Sequence, residues 1–331
     1  MELITFAQEL FPVTLLIGIA MLIWGGNLLV EGSVAVATKL GISKLVIGLT
    51  IVAFSTSSPE LALNIVASIN GHSDLCLGNI FGSNIANIGL VLGVGALICK
   101  LPVTGRVVKF EFPWLIAATF LVGVVTWVDS LNSLWAIVFL LLFCYLMWSW
   151  FRIGKEETSQ MGTQSKEATP TVRVSMFGAW AMLLFGLLML GLGGKATEIG
   201  AVAGALKLGM SELLVGSTVV AIATSLPEVV TTIIAAKKNH PDLAVGNVIG
   251  SNIFNILLVL PITILVSPIS ASKDIGIYIV IMFAMTVIAY ILTRINRIKL
   301  KDGGIIDPKE GGILVSLYIA FLVGISIWSL S

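Results

Sequence analysis

Apolar stretches of about 20 residues recur along the whole chain, the length an α-helix needs to cross a bilayer's hydrocarbon core. One of the first reads "FPVTLLIGIAMLIWGGNLLV" and one of the last "ILVSLYIAFLVGISIWSL". In lipid the backbone must satisfy its own N–H and C=O groups, so a chain made of such segments folds as a helical bundle. Composition excludes a soluble globule: 57% of the 331 residues are hydrophobic and 11% charged, against about 25% charged in soluble domains. A net charge of +1 provides no basic surface, and the expected surroundings are the lipid bilayer, with no nucleic acid. Cys76, Cys99 and Cys144 are scattered without metal-site spacing and read as apolar fillers. The start "MELITFAQELFP" lacks a basic leader region, so the first span is expected to stay in the mature protein.

The fold class expected is an all-α polytopic membrane protein of ten transmembrane helices. The spans fall at roughly 12–36, 44–69, 75–98, 112–128, 131–151, 175–205, 211–236, 243–266, 275–293 and 311–330. With the N-terminus outside, 16 of the 19 Lys and Arg residues fall on cytoplasmic segments, leaving Lys195, Lys207 and Lys273. Basic residues favour the cytoplasmic side of short loops, so this asymmetry supports ten spans with both termini outside. The only sizeable polar stretch, 153–174, has the composition of a disordered linker and divides the chain into 1–152 and 175–331.

Shifted by 168 positions, the sequence aligns with itself without a gap. "GLTIVAFSTSSPE" falls on "GSTVVAIATSLPE", within 44–98 and 211–266 respectively. His72, Asp74, Asn79, Ser83, Asn84 and Asn87 fall on His240, Asp242, Asn247, Ser251, Asn252 and Asn255. Five spans per half is an odd number, so the halves would enter the membrane in opposite directions. Inverted repeats of this kind characterise transporters with a site at the midplane, although a pore built the same way stays open as an alternative.

Each copy carries a proline and a glutamate inside an apolar helix. Pro59 and Pro227 lack an N–H, so the carbonyls of Ser55 and Ala223 lose their helical partners. A freed carbonyl in lipid needs a substitute, and a cation is one. Proline also suits the first turn of a new half-helix, whose positive end favours ionised Glu60 and Glu228. An unwound, hydroxyl-rich turn with free carbonyls and a carboxylate therefore makes an all-oxygen site for a hard cation. Asn79, Ser83 and Asn87 lie at i, i+4 and i+8, on one helix face, as do Asn247, Ser251 and Asn255. Asn87 and Asn255 are read as further ligands. Calcium takes six to eight oxygens of these kinds, whereas magnesium keeps several waters and fits less well. His72 and His240 fall on opposite membrane sides and cannot share a metal. Glu31, Lys195 and Glu198 read as interfacial charges or a local i, i+3 pair.

At these residues the chain resembles the cation/calcium exchanger superfamily, in particular its bacterial and archaeal sodium/calcium antiporters. The two alpha repeats of that family are matched by "STSSPE" with "GNIFGSNIAN" and by "ATSLPE" with "GNVIGSNIFN". The resemblance covers nearly the whole chain. It implies a secondary transporter in a prokaryotic plasma (inner) membrane, with sodium entering to expel calcium by alternating access, calcium and sodium as transported ions and no cofactor. Glu60 and Glu228 would be the shared ligands, with oxygens from Thr56, Ser57, Thr224, Ser225, Ser83 and Ser251 and carbonyls from Ala53 and Ala221. Three departures stand out. Ser55 and Ala223 replace the usual glycine, which is expected to stiffen the unwound turn, Ser58 replaces an apolar residue, and Asn87 and Asn255 are amides where many relatives have aspartate. Two central carboxylates then balance one Ca²⁺. Competing readings are a proton-driven calcium antiporter, a passive cation channel and, more remotely, an intramembrane hydrolase; no activated nucleophile accompanies the glutamates, so no enzyme is expected.

Overall fold

The computed structural model describes residues 9–128, 131–162, 174–210, 219, 221–269, 275–295 and 303–328. Several helix ends carry recognisable sequence signals. α1 spans Phe11–Leu40 with proline in its first turn, and ends at Gly41, whose φ of +60° is the left-handed conformation that glycine adopts readily. Ser43 Oγ accepts the Val46 N–H at 3.4 Å and opens α2, Lys44–Ile69. α3 (Ser73–Ile98) and α4 (Val107–Trp127) follow. α5 is Ser133–Gly162, and α6 is Met176–Lys207, capped by Ser175. Next come α7 (Ala221–Thr224), α8 (Leu226–Lys237), α9 (Pro241–Val266), α10 (Ile275–Ile295) and α11 (Pro308–Trp328). A reciprocal cap opens α11: Asp307 Oδ1 accepts the Lys309 N–H at 2.8 Å, and Glu310 Oε2 accepts the Asp307 N–H at 2.6 Å.

Among the described residues nine helices are long and apolar enough to cross a membrane. The expected span 211–236 lies partly outside them, and α7 and α8 are its described remainder. Most of the expected linker also lies outside the described residues. Its first part corrects the expectation, because α5 runs on to Gly162. "KEETSQM" contains no proline and several good helix formers, so nothing ends the helix at the membrane surface.

Burial sorts the helices into layers. The most apolar window of α9 is 83% buried, that of α11 only 22%. α2, α3 and α9 form the centre, while α1, α5, α6, α10 and α11 turn large apolar side chains outward, as lipid-facing helices do. α1 and α6 lie along each other. Their glycines recur every seven residues, Gly18, Gly25 and Gly32 on one and Gly186, Gly193 and Gly200 on the other. A Cβ at Gly186 would stand 2.6 Å from the Leu29 nitrogen, so the two backbones touch with no side chain between them.

Contacts between loops test which ends share a membrane side. Lys207 Nζ reaches the Glu9 carbonyl at 3.4 Å, joining the start of α1 to the end of α6. At the other end Lys238 pairs with Glu31 at 2.6 Å and Lys44 meets His240 Nδ1 at 3.1 Å. β1 (Leu101–Val103) and β2 (Gly304–Ile306) form an antiparallel pair that ties the α3–α4 connection to the α10–α11 connection. Every one of these contacts joins positions that the ten-span pattern assigns to the same side.

The 168-residue shift also holds for local geometry. α2 ends at Ile69 and α8 at Lys237; Gly71 and Asn239 both have positive φ, +77° and +58°. His72 and His240 N–H groups donate to Ala67 and Ala235 carbonyls at 2.9 and 2.8 Å. Gly41 and Gly209 are a further left-handed pair.

Candidate cation site

The two Pro–Glu segments differ in backbone, which corrects the expectation of an unwound turn in both. In the first copy the helix continues through Pro59, downstream of a wide π-turn at Gly48–Val52. In the second it is interrupted at Ser225, between α7 and α8, and Pro227 sits in the first turn of α8 as proline prefers. The side chains of the two copies differ as well. Ser55 Oγ donates to the Ile51 carbonyl at 2.7 Å and Ser58 Oγ to the Phe54 carbonyl at 2.6 Å, so these hydroxyls take up main-chain acceptors just before the proline. Their counterparts Ala223 and Leu226 have no hydroxyl, and there the helix opens.

Around these segments the structure gathers oxygen atoms from both halves. Glu60 and Glu228 are 3% and 1% exposed and lie within electrostatic reach of each other. Thr56 Oγ1 lies 3.1 Å from Asn247 Oδ1, 3.2 Å from Ser251 Oγ and 3.3 Å from the Ala53 carbonyl, linking α2 to α9. One hydroxyl proton serves only one of these three acceptors. Asn87 and Asn255 each begin a π-turn, Asn87–Leu92 and Asn255–Val259. Such single wide turns inside helices are frequent at functional sites. Ser57, Ser83, Ser225, Ser251, Asn87 and Asn255 are all buried. Thr224 lies where two clefts meet, and Ala221 begins α7.

Many of these buried oxygens have no hydrogen-bond partner among the described residues. Among the described residues, Glu60 Oε2, both carboxylate oxygens of Glu228, the hydroxyls of Ser57, Ser83 and Ser225, and the Oδ1 atoms of Asn87 and Asn255 make no hydrogen bond of good geometry, although the Thr56 hydroxyl lies near enough to Glu228 to interact with it. A buried polar atom without a partner is costly, and several converging on a hard cation would be satisfied together. The donor set is all oxygen with two carboxylates, which suits calcium or sodium rather than a thiolate- or imidazole-seeking metal. Among the described residues no cluster of three or more His, Cys, Asp or Glu forms a conventional metal centre.

A cleft of about 520 Å³ leads from the surface near Asn70 and His72 to Pro59 and Glu60. A second, of about 260 Å³, runs between α3, α10 and α11 to Ser83 and shares Thr224 and Asn79 with the first. Near the opposite face α1 lies close against α8: a Cβ at Gly26 would be 2.8 Å from Ile234 and 3.2 Å from Val230. At the equivalent Gly194 the nearest neighbour is Pro227 at 3.3 Å.

Sequence reasoning placed Asn79 and Asn247 on the ligand face but missed what holds them. Asn64 Nδ2 donates to Asn79 Oδ1 at 2.7 Å, and Asn247 Nδ2 donates to Thr232 Oγ1 at 3.1 Å. Asn64 and Thr232 are related by the same 168-residue shift, a signal available in the sequence. Asn84, also missed, accepts the Asn255 amide at 3.1 Å and leaves the Asn255 oxygen free. His72 and His240 lie at opposite ends of the bundle, as expected, and His240 is engaged by Lys44. Lys195 and Glu198 do form an i, i+3 pair.

Comparison with known proteins agrees with this geometry. The family described as sodium/calcium exchanger protein matches residues 10–152 and 178–327. The Alkalimonas amylolytica protein CaxA is 36% identical over 299 residues, covering 88% of this chain and 93% of its own. The sodium/calcium exchanger MaX1 of Methanosarcina acetivorans is 31% identical over 343 residues, covering 93% and 96%. The structure of the sodium-calcium exchanger NCX_Mj soaked with 10 mM Na⁺ superposes with a TM-score of 0.80 at 28% identity, over 98% of this chain and all of that one.

Proposed function

The chain belongs to the sodium/calcium exchanger protein family, and on that premise we propose that it exchanges sodium for calcium across the membrane at one central site shared by both ions. It is an integral membrane protein and a transporter, not an enzyme. The observation that carries the reading is the set of buried, unpartnered oxygens around Glu60 and Glu228, contributed by both halves. Two carboxylates balance one Ca²⁺, or two Na⁺, so either load crosses the bilayer with its charge compensated. The remaining coordination is drawn from among Asn87, Asn255, Ser57, Ser83, Ser225, Thr56, Thr224 and Ser251 and the Ala53 and Ala221 carbonyls.

In this reading the two halves are inverted five-helix repeats, supported by the local correspondences at a shift of 168. The cleft to Glu60 and the close packing at Gly26 correspond to a state open on one side and closed on the other. The charge asymmetry of the loops makes the open side the exterior. Alternating access then amounts to α1 loosening from α8 while α6 packs against α2. The glycine seam joining α1 and α6 lets them move together.

The test is calcium uptake by the purified chain in sealed liposomes with an imposed sodium gradient, an imposed proton gradient, or neither. Uptake that follows the sodium gradient alone is expected. Uptake driven by the proton gradient and indifferent to sodium would replace this reading with a proton-driven antiporter, and uptake without either would make the protein a channel.

A further inference from the structure

The wall of the larger cleft carries a charged pair that the ion site does not account for. Gly191, Gly194, Lys195 and Glu198 lie on one face of α6 and line the cleft opposite α2. Lys195 Nζ contacts both carboxylate oxygens of Glu198, at 2.8 and 3.0 Å. The lysine side chain is 61% exposed and the glutamate 21%. With Glu60 at the base, these two are the only Lys, Arg, Asp or Glu residues on this cleft's lining among the described residues, and that lining is otherwise mostly apolar. From Glu60 to Asn70 on α2 is about 15 Å of helix, so the pair stands on the wall of a deep passage.

The same face of α1 lacks it. The positions equivalent to Lys195 and Glu198 are Asn27 and Val30, neither charged, and Val30 is fully buried. The charges therefore belong to the passage on one face and not to the repeat that builds the site. An exposed i, i+3 pair contributes little to stability, which leaves it free to exchange partners.

We propose that Glu198 is a recruiting ligand for cations on this face and that the Lys195 ammonium is its built-in competitor. An incoming cation displaces Lys195 from Glu198 and is handed down to Glu60; once it has passed, Lys195 neutralises Glu198 again. The neutral pair also allows α6 to close on α2, because an unpaired carboxylate pressed into that apolar contact would oppose closure. This inference rests on the exchange function proposed above.

The experiment is sodium-dependent calcium flux in liposomes of uniform protein orientation, with half-saturating calcium measured separately at the cleft face and at the opposite face. Glu198→Gln should raise half-saturating calcium at the cleft face roughly threefold to tenfold, as expected for removing one charge from an apolar-walled passage. Lys195→Gln should lower it and slow turnover, and the double variant should recover the turnover. Values at the opposite face should not move. Equal shifts on both faces, shifts of the same sign in both single variants, or no shift in either would overturn the inference while leaving the exchange function intact. A wild-type chain without sodium-dependent flux would overturn both.

Discussion

Glu60 and Glu228 define the site, but their effect depends on neighbours that hold the other oxygens in place. Asn84 binds the amide nitrogen of Asn255, so the oxygen of Asn255 is the atom left for an ion. Asn84→Ala should weaken calcium binding about fivefold without unfolding the protein, since it removes the Asn255 hydrogen bond, worth about 1 kcal/mol, together with weaker contacts to the Asn252 carbonyl and Met282 Sδ, and frees Asn255 to rotate. Titration calorimetry checks this, and an unchanged affinity would mean that Asn255 is not a ligand. At the opposite end His240 sits under Lys44. Burial, then the Lys44 charge, lower its affinity for protons despite a backbone hydrogen bond at Asn239 that works the other way. A histidine with a lowered folded pKa is held neutral in the fold, so the unfolded chain binds the extra proton first. Stability should therefore fall as pH drops below about 6.5, and His240→Gln should flatten that part of the curve. Thermal unfolding between pH 7.5 and pH 5.5 measures it.

The helices show how far local sequence determined the architecture. Apolar length and loop charge located the described spans other than α5 to within a few residues, because each is a short-range property of the chain. The state of the Pro–Glu segments was less legible. Both contain the same break signal, but in the first copy Ser55 and Ser58 hydrogen-bond back to the preceding turn, and the helix continues. Spacing alone does not reveal which of the two copies opens. The length of α5 was misjudged for a related reason, since a polar composition outside the membrane does not forbid a helix already begun. The seam between α1 and α6 makes an element-scale prediction. Gly186→Val should abolish transport and lower the unfolding temperature by several degrees or more, because its side chain would strike the Leu29 backbone. Gly324→Ala, with open space around it, should be tolerated.

At the scale of the whole molecule, the loop charges imply an orientation in the membrane. In a variant whose native cysteines are replaced, a cysteine at Ser133 should react with a membrane-impermeant maleimide applied outside sealed cells, and one at Lys39 only after the membrane is opened. The reverse pattern would turn the molecule over. With only two central carboxylates and two neutral amides, the site has no charge left for a third kind of cation. Calcium exchange should be unaffected when potassium is removed from both sides, and strong potassium dependence would mean that the amide positions are misread.

The central claim is that both halves contribute one carboxylate to one shared site, and calcium binding to the purified protein tests it most directly. Isothermal titration should give one calcium per chain, displaced by sodium. Glu60→Gln and Glu228→Gln should each lower the affinity on the order of a hundredfold, because an uncompensated charge at that depth costs roughly 3 kcal/mol. Glu31→Gln, at the exposed pair with Lys238, should change it little. Two independent calcium sites, or normal binding after either central substitution, would contradict the account.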